Sequence, residues 1–528
     1  MEENNQHTKN NTDGFNIREY RCKVKYFDVS TGKNIVVLNK ERAMEEDIYV
    51  SDRVVVQSGE KKLTCVVDLS SVLVKRDEIA MFHESAAKLG VKADQEVIIS
   101  HARHPISVDY IKKKMNGEEL SEEEINTIIT EAMDNRLSDV ELASLLTTMY
   151  IRELSLNETV ALTNAVVATG EQLVLGKHPV LDKHCSGGVA GNRTTMLVVP
   201  IIAAAGLYIP KTSSRSITSA SGTADTMEAI AEVKFSIDEM KEIVLRHKGC
   251  IVWGGAINLA TIDDKLIKIR HPLRLDPKGV LLASILAKKK SVGAEYVVID
   301  IPVGRGSKIE NVEDAKALGK DFINVGSKLG MKIECFISDG SDPVGMGIGP
   351  ALECADVFDV LRNKGPLDLK DKSIQLAGEL LELCKKVPKG RGAAVASDIL
   401  SSGKAYEKMK DIVEAQGGDR NLSRDNLQIG TNIHKVCAKK DGRVQHVDNL
   451  LISKIARAAG APKDIGAGVI LHCEHGDKVK EGDVLFEIVS ENESKLDFAI
   501  KSLETWYPIE LERLIIGKLV GDGYVSKY

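Results

Sequence analysis

Two glycine- and hydroxyl-rich stretches decide how this chain is interpreted. Residues 182–195 read Asp-Lys-His-Cys-Ser-Gly-Gly-Val-Ala-Gly-Asn-Arg-Thr-Thr, and residues 211–225 read Lys-Thr-Ser-Ser-Arg-Ser-Ile-Thr-Ser-Ala-Ser-Gly-Thr-Ala-Asp. Each lies beside an apolar run. Short loops of this kind expose backbone N–H groups, and a neighbouring lysine or arginine completes a pocket for phosphate. We call residues 183–195 the glycine loop and residues 213–223 the serine loop. Together they predict a site for more than one anionic group.

The sequence around these loops alternates between helical patterns and apolar β-type runs. The β-type runs include residues 251–253, 296–301 and 332–337. Such alternation indicates a central α/β domain with a largely parallel sheet, which we place at residues 179–430.

The segments before and after this domain have different patterns. Short β-type runs predict an N-terminal β-rich domain at residues 16–104, with a helix at residues 81–89. Ser121, Ser138 and Ser155 each precede a glutamate by three residues, which predicts three helix starts in a helical subdomain at residues 105–178. Residues 431–528 alternate β-type runs with a glycine hairpin at 476–486, as in a C-terminal α+β domain. Residues 1–15 are polar and predict a disordered tail. The predicted fold class is therefore multi-domain α/β.

Composition excludes several classes of protein. A chain of 528 residues is too long for a single core. Its net charge of −6 and its 4% aromatic residues disfavour nucleic-acid binding. The longest uncharged apolar run, residues 196–208, is shorter than the ~20 residues of a membrane span. The nine cysteines form no CxxC pair and favour reduced thiols, so we expect a cytoplasmic protein that contacts neither nucleic acid nor membrane.

An ordered set of motifs resembles the thymidine and pyrimidine-nucleoside phosphorylase family. The set comprises Lys183-His184, Gly187-Gly188-Val189, Ser213-x-Arg215 and Gly222-Thr223, followed by residues 283–289, 303–306, 345–353 and 476–486. The resemblance covers residues 107 to 528. The serine loop and the additional β-rich domain are similar to the branch of this family that acts on nucleoside 5′-monophosphates.

This resemblance implies phosphorolysis of AMP to adenine and ribose 1,5-bisphosphate, with CMP and UMP as further candidate substrates. Inorganic phosphate is then a substrate, and no cofactor is expected. The main alternative is a thymidine or pyrimidine-nucleoside phosphorylase. More distant alternatives are an enzyme similar to anthranilate phosphoribosyltransferase, with a magnesium-bound diphosphate, and a nucleotide-binding regulator without turnover.

The resemblance and the residue types together assign candidate ligands. Those for inorganic phosphate are Lys183, Thr194, Thr195, Ser213 and Thr223. Those for the nucleotide are Gly188, Ser214, Arg215, Ser216, Ile217, Thr218, Ser219, Thr223, Ser284 and Lys308. Cys185 is left out because a thiol is a poorer hydrogen-bond donor than a hydroxyl.

The departing purine needs a proton at a ring nitrogen. Asp276 matches the position of the family's proton donor. Arg270, Arg274 and Lys278 lie close in sequence and would lower its pKa if they paired with it, so a salt-bridged aspartate is the alternative interpretation. His184 is the rival acid because its unperturbed pKa is nearer neutrality. Arg270 is a further candidate site residue.

Ser284 and Lys288 are four residues apart on a predicted helix, so both can face the pocket. Lys288 is accordingly a further candidate. No metal site is predicted, because the four potential ligands of residues 472–475 lie on a β-type run and cannot converge. We expect a homodimer that assembles into larger homo-oligomers through the N-terminal domain.

Overall fold

The computed structural model describes residues 19–102, 105–216 and 219–512, and the backbone of residues 518–520 and 523–525. The chain folds into two compact units. The first contains the residues up to Arg152 together with Ile269–Leu275. The second contains Glu153–Lys268 and the residues from Asp276 onward.

The N-terminal part of the first unit is a closed β-barrel. Its strands follow the order β1-β5-β2-β4-β3-β6 around the barrel. The pairs β1/β5 and β2/β4 are parallel and the others are antiparallel. Alternate residues of β1 are buried, as expected for a strand with one face towards the core. The strands are β1 (Glu19–Phe27), β2 (Ile35–Asn39), β3 (Arg53–Ser58), β4 (Lys61–Ser70), β5 (Glu78–Phe82) and β6 (Glu96–His101).

Two helices interrupt this barrel, α1 (Lys40–Glu45) and α2 (His83–Leu89). The sequence predicted a helix from residue 81, but Met81 and Phe82 end strand β5 instead. Met81 is fully buried and pairs with Val36 of β2. Burial in the barrel therefore overrides the helical preference of this short run.

The three predicted helix starts are present. The Ser121, Ser138 and Ser155 hydroxyls accept the backbone N–H three residues later at 3.2, 3.3 and 3.2 Å. Each of those glutamates accepts the serine N–H in return. Helices α3 (Ser107–Met115), α4 (Glu122–Met133) and α5 (Asp139–Arg152) belong to the first unit, whereas α6 (Leu156–Ala168) belongs to the second.

A parallel sheet forms the centre of the second unit, as the sequence predicted. A parallel bridge from Val180 to Tyr208 links its two parts into the order β11-β10-β7-β8-β9. Every pairing along it is parallel. The strands are β7 (Leu181–Cys185), β8 (Ile209–Ser213), β9 (Gly249–Trp253), β10 (Tyr296–Val303) and β11 (Lys332–Asp339).

Helices pack around this sheet, so strands β9 and β10 are buried over most of their length. Helix α7 is buried over its first ten residues, and α6 packs against α11. The helices are α7 (Thr194–Ala204), α8 (Thr223–Glu228), α9 (Ile237–His247), α10 (Thr261–Leu273), α11 (Lys278–Ser291), α12 (Val312–Lys328), α13 (Pro350–Leu361), α14 (Leu367–Leu383), α15 (Gly392–Ser401) and α16 (Lys404–Ala415).

The C-terminal part combines antiparallel sheets with two helices. One sheet has the order β12-β15-β17-β13, a second has the order β16-β14-β18, and a third consists of β19 and β20. The elements are β12 (Gly347–Ile348), β13 (Asn432–Cys437), β14 (Gly442–Val447), α17 (Asn449–Ala458), β15 (Gly468–Leu471), β16 (Lys478–Val479), β17 (Val484–Ser490), α18 (Glu493–Ser502), β18 (Ile509–Leu511), β19 (Lys518–Val520) and β20 (Gly523–Val525). Strand β12 comes from the central segment, so the α/β and α+β parts share a sheet.

The topology places the two anion-binding candidates together. The glycine loop joins the end of β7 to α7, and the serine loop joins the end of β8 to α8. Because β7 and β8 are neighbouring parallel strands, both loops lie at the carboxyl edge of the sheet, where open α/β sheets bind ligands. None of the helices in the described part of the chain combines the length and the apolar character that spanning a bilayer requires.

Candidate active site

The glycine loop approaches a second segment closely. Gly187 and Gly188 have φ angles of +88° and +95°, in the left-handed region that favours glycine. A Cβ atom on Gly188 would lie 2.6 Å from the backbone nitrogen of Lys308. A Cβ on Gly187 would lie 3.7 Å from the Lys308 ammonium. The structure therefore places Lys308, a predicted nucleotide ligand, directly beside the glycine loop.

Lys183 supplies a buried positive charge at this loop. It lies on β7 with 1% of its surface exposed, and its ammonium donates to the Thr194 hydroxyl at 2.7 Å. Thr194 and Thr195 are the first residues of α7, where backbone N–H groups lack helical partners and the helix dipole is positive. Burial lowers the pKa of Lys183, and the neighbouring Cys185 and Asp300 oppose that shift. Lys183, Thr194 and Thr195 thus come together as a site suited to phosphate.

Asp300 lies behind the glycine loop on β10 and is fully buried. It accepts a hydrogen bond from the Ser338 hydroxyl at 2.5 Å and lies 3.1 Å from the Lys372 ammonium. Burial alone would raise the pKa of Asp300, but the charges of Lys183 and Lys372 hold it below its usual value. The amide of Asn192 links this carboxylate to the loop at 3.4 Å.

A second buried ionic group joins strands β7 and β8 to helix α11. Asp182 is 2.8 Å from the Lys289 ammonium and 3.6 Å from that of Lys211, and all three residues are buried. Burial, together with the charges of Lys289 and Lys211, lowers the pKa of the neighbouring His184 well below its usual value. His184 is therefore neutral near pH 7, which weighs against it as the acid that protonates a leaving base.

The serine loop is organised by charged pairs. The Arg215 guanidinium donates to Asp225 at 3.0 Å and to Glu228 at 2.6 Å. The other oxygen of Asp225 accepts the backbone N–H groups of Ser216 and Gly222 at 2.7 and 2.9 Å. Arg215 is thus engaged by two carboxylates in this structure.

The remaining serine-loop candidates are hydroxyl groups at the sheet edge. Ser213 ends β8, Ser214 is exposed, and Thr223 begins α8. The Ser219 hydroxyl donates to the Ser221 carbonyl at 3.0 Å. Two further predicted nucleotide ligands, Ile217 and Thr218, lie outside the described residues.

The predicted pair on α11 converges on one carboxylate. The Ser284 hydroxyl and the Lys288 ammonium both donate to Asp263, at 2.7 and 2.6 Å. The two residues therefore share one face of the helix, as their spacing predicted. In the described parts of the chain, no group of three His, Cys, Asp or Glu side chains is placed to hold a metal ion.

Asp276, the predicted proton donor, is exposed in the turn before α11. Lys278, one of the cations near it in sequence, pairs instead with Asp321 at 3.2 Å and Glu153 at 3.7 Å. Arg270 belongs to the first unit, whereas Asp276 belongs to the second.

Sequence reasoning missed several charged residues that shape this site. Arg193 precedes α7 and binds residues of the serine loop. Asp182, Lys211 and Lys289 form the buried group that joins β7 and β8 to α11. No local signal singles out Asp182 or Lys211, because polar residues follow each of them directly in the sequence.

Comparison with known families defines the class. Residues 108–170 match the model of the glycosyl transferase family helical bundle domain, and residues 177–406 match that family's α/β domain. Residues 443–510 match the pyrimidine nucleoside phosphorylase C-terminal domain. These consecutive matches define a glycosyl transferase of the nucleoside phosphorylase class.

Curated relatives narrow the class further. The AMP phosphorylase of Thermococcus kodakarensis is 45% identical over 94% of this chain and 99% of its own length. That of Methanosarcina acetivorans is 42% identical over 95% of this chain and 99% of its own length. The chain belongs to the AMP phosphorylase family.

A solved structure supports the fold alone. The anthranilate phosphoribosyltransferase of Thermus thermophilus aligns with a TM-score of 0.51 and 20% identity. The alignment covers 59% of this chain and all of that protein. The predicted multi-domain α/β fold is confirmed by this neighbour and by the family models.

Proposed function

We propose that this protein cleaves AMP with inorganic phosphate and releases adenine and ribose 1,5-bisphosphate. CMP and UMP are further substrates under this proposal. The observation that carries it is the pair of hydroxyl-rich loops at one sheet edge, one of them with the buried Lys183 ammonium at the start of α7. A substrate with its own phosphate and a phosphate nucleophile would together occupy two such loops. The AMP phosphorylases among its relatives support the choice of substrate.

The glycine loop would hold the nucleophile. Lys183, Thr194 and Thr195 surround the first turn of α7, whose N–H groups can bind phosphate oxygens. Holding the dianion in line with C1′ of the ribose converts a bimolecular attack into one within the complex. Such positioning can contribute ~7–11 kcal/mol to lowering the barrier.

Asp276 would protonate the departing base as C1′ gains oxocarbenium character. To donate, its carboxyl group must carry a proton in the complex. The lowered pKa of His184 weighs against the rival acid, and the choice of Asp276 rests on the family position that it matches. Ser284 and Lys288, both bound to Asp263, would border the nucleotide.

The 5′-phosphate would bind to the serine loop. Because Arg215 is paired with Asp225 and Glu228, recognition there would depend on backbone N–H groups and on hydroxyls such as Thr223. A polar pocket of this kind discriminates strongly against a substrate that lacks the phosphate, since its groups are then left unpaired.

The decisive experiment compares AMP with adenosine and thymidine at saturating inorganic phosphate. We expect the kcat/KM for AMP to exceed the others by roughly 10³-fold or more, from two or three unpaired groups. The sugar product should be identified as ribose 1,5-bisphosphate. Comparable values for thymidine and AMP would instead make the protein a nucleoside phosphorylase.

We also propose that the barrel mediates assembly into homo-oligomers larger than a dimer. It exposes Tyr49 and Val50, each 58% accessible, and Val72, which is 94% accessible. The double variant Tyr49→Lys/Val72→Glu should form a smaller particle in light scattering and keep its activity. A particle of unchanged size would exclude this surface.

A cytoplasmic location is part of the same proposal. All nine cysteines lie within the described residues, and each is a free thiol. Unpaired thiols in this number are typical of a reducing compartment.

A further inference from the structure

We propose that Arg193 is a positioning residue that fixes the Thr223 hydroxyl as a hydrogen-bond donor to a phosphate group of the substrate. The inference rests on the proposed function, because it assumes that Thr223 meets a phosphate. Arg193 belongs to the glycine loop and Thr223 to the serine loop, so one side chain connects the two loops.

The donors of Arg193 are directed at the protein. The side chain is 11% exposed. Nη2 donates to the Ser221 carbonyl at 2.7 Å, and Nη1 donates to the Thr223 hydroxyl at 3.3 Å and to the Asn192 carbonyl at 3.3 Å. Nε donates to Glu353. A guanidinium with these four protein partners connects the two loops and does not serve as a ligand for phosphate.

Glu353, on α13, holds the Arg193 side chain in place. It is 1% exposed and accepts hydrogen bonds from the Thr226 hydroxyl at 2.7 Å and from the Gly349 N–H at 3.3 Å. A buried carboxylate with fixed partners holds its arginine in one orientation. The orientation of the Arg193 side chain is therefore set by the serine loop, by the start of α8 and by α13.

The polarity of the Thr223 hydroxyl follows from its partner. A hydroxyl has one proton to donate and two lone pairs that accept, whereas a guanidinium can only donate. Thr223 must therefore accept from Arg193, and its own proton must point away from the guanidinium. Thr223 is half-buried at the start of α8, at the same sheet edge as the glycine loop. There, the oriented proton is available to a phosphate oxygen.

The test is a double-mutant cycle with Arg193→Lys and Thr223→Val, the second of which removes the hydroxyl and keeps the side-chain shape. Each single variant should raise the KM for one phosphate-bearing substrate by about 10-fold to 100-fold, the effect of one hydrogen bond to a charged group. The double variant should be within about twofold of Thr223→Val, because Arg193 acts through that hydroxyl. Additive losses, or KM values that do not change, would overturn the proposal.

Separate assays identify which phosphate Thr223 meets. If it meets the 5′-phosphate, the KM for AMP rises and the kcat/KM for adenosine is unchanged. If it meets inorganic phosphate, the KM for phosphate rises with either co-substrate. A purely structural role for Arg193 would lower kcat with AMP and adenosine alike, which would contradict the proposal.

Folding and function have their own controls. Thermal unfolding of Arg193→Lys and Thr223→Val reports whether either variant is destabilised, and Arg193→Met tests removal of the charge. If Arg193→Met does not fold, the cycle with Arg193→Lys still decides. Failure of the proposed function would appear in the wild-type protein, as AMP that yields no ribose 1,5-bisphosphate.

Discussion

The glycine loop and the serine loop share a composition but differ in how they treat positive charge. Both follow neighbouring parallel strands and lead into helices. Lys183 of the first is buried and donates to a neutral hydroxyl, whereas Arg215 of the second is paired with Asp225 and Glu228. Loops rich in glycine, serine and a cation can therefore present that cation in two ways. Under the proposed function, the glycine loop would offer the Lys183 ammonium to an anion, and the serine loop would offer oriented hydrogen bonds.

The difference suggests a division of labour. A dianionic nucleophile without a sugar has only its charge and oxygens to be recognised by, so a charged loop at a helix N-terminus suits it. A nucleotide must be distinguished from a nucleoside, and unpaired polar groups provide that discrimination.

The largest expected effect tests whether either loop also supplies the proton. Both loops are assigned binding roles only, so the proton should come from Asp276. Asp276→Asn should therefore lower kcat by ~10²–10⁴ and leave the KM values for AMP and for phosphate nearly unchanged. Steady-state kinetics with AMP and phosphate provide the measurement, and His184→Gln is the matched control. A large loss in His184→Gln with little loss in Asp276→Asn would transfer the acid to the glycine loop.

The next effect tests the charged loop. Lys183→Met should lower the kcat/KM for phosphate by ~10²–10³, the range seen when a preorganised donor is removed, with little change in the KM for AMP. Lys308→Ala is an additional test of whether the two loops bind different phosphates. The sequence predicts that Lys308 binds the nucleotide, whereas the structure places this residue beside Gly187 and Gly188 of the glycine loop. If Lys183→Met raised only the KM for AMP, the assignment of inorganic phosphate to the glycine loop would be wrong.

A smaller effect shows whether Arg215 only orders the serine loop or binds the 5′-phosphate directly. If Arg215 only orders the loop, Arg215→Met and Glu228→Gln should each raise the KM for AMP by about 10-fold, since either change breaks the pair. If Arg215 binds the 5′-phosphate directly, Glu228→Gln should release it and lower that KM. The sign of the Glu228→Gln effect in initial-rate measurements therefore decides.

The smallest effect is on pH dependence. Burial lowers the pKa of Lys183, and binding of phosphate requires its ammonium form. As the pH rises through that lowered pKa, the charge is lost and the KM for phosphate should rise, by no more than about tenfold per pH unit. Lys183→Arg should flatten the profile because a guanidinium stays protonated. A wild-type profile that is flat from neutral pH to the usual lysine pKa would contradict a charged glycine loop.

Much of the fold was predictable because its signals are local. The capping serines at 121, 138 and 155 need only a glutamate three residues away, and buried parallel strands appear as apolar runs. Strand β5 was missed because the run from Glu78 to Phe82 becomes a strand only by pairing with β1 and β2. Strand β12 was missed because two residues carry no periodic pattern.

In the candidate site, too, contacts between residues close in sequence were predictable and contacts between distant residues were not. Lys183 and Thr194 are eleven residues apart, and their loop pattern suggested the contact that the structure shows. The pairing of Arg193 with Glu353 spans 160 residues, and no local pattern indicates it. Both carboxylate partners of Arg215 lie in the helix that follows the loop, but composition alone does not distinguish an arginine that binds a ligand from one that is already neutralised.

Strand β12 has a consequence for how the chain is made. Ile348 leaves the ribosome 120 residues before Gly468, the first residue of its partner β15 (468 − 348 = 120). At a translation rate of ~5–20 residues per second, β12 is synthesised roughly 6–24 s before its partner strand β15. When β15 arrives, it must fit closely, because a Cβ on Gly468 would lie 2.0 Å from the Ile348 carbonyl oxygen. A gene fusion that exchanges residues 431–528 for those of a relative would therefore divide a sheet, and the foreign β15 would have to match this edge.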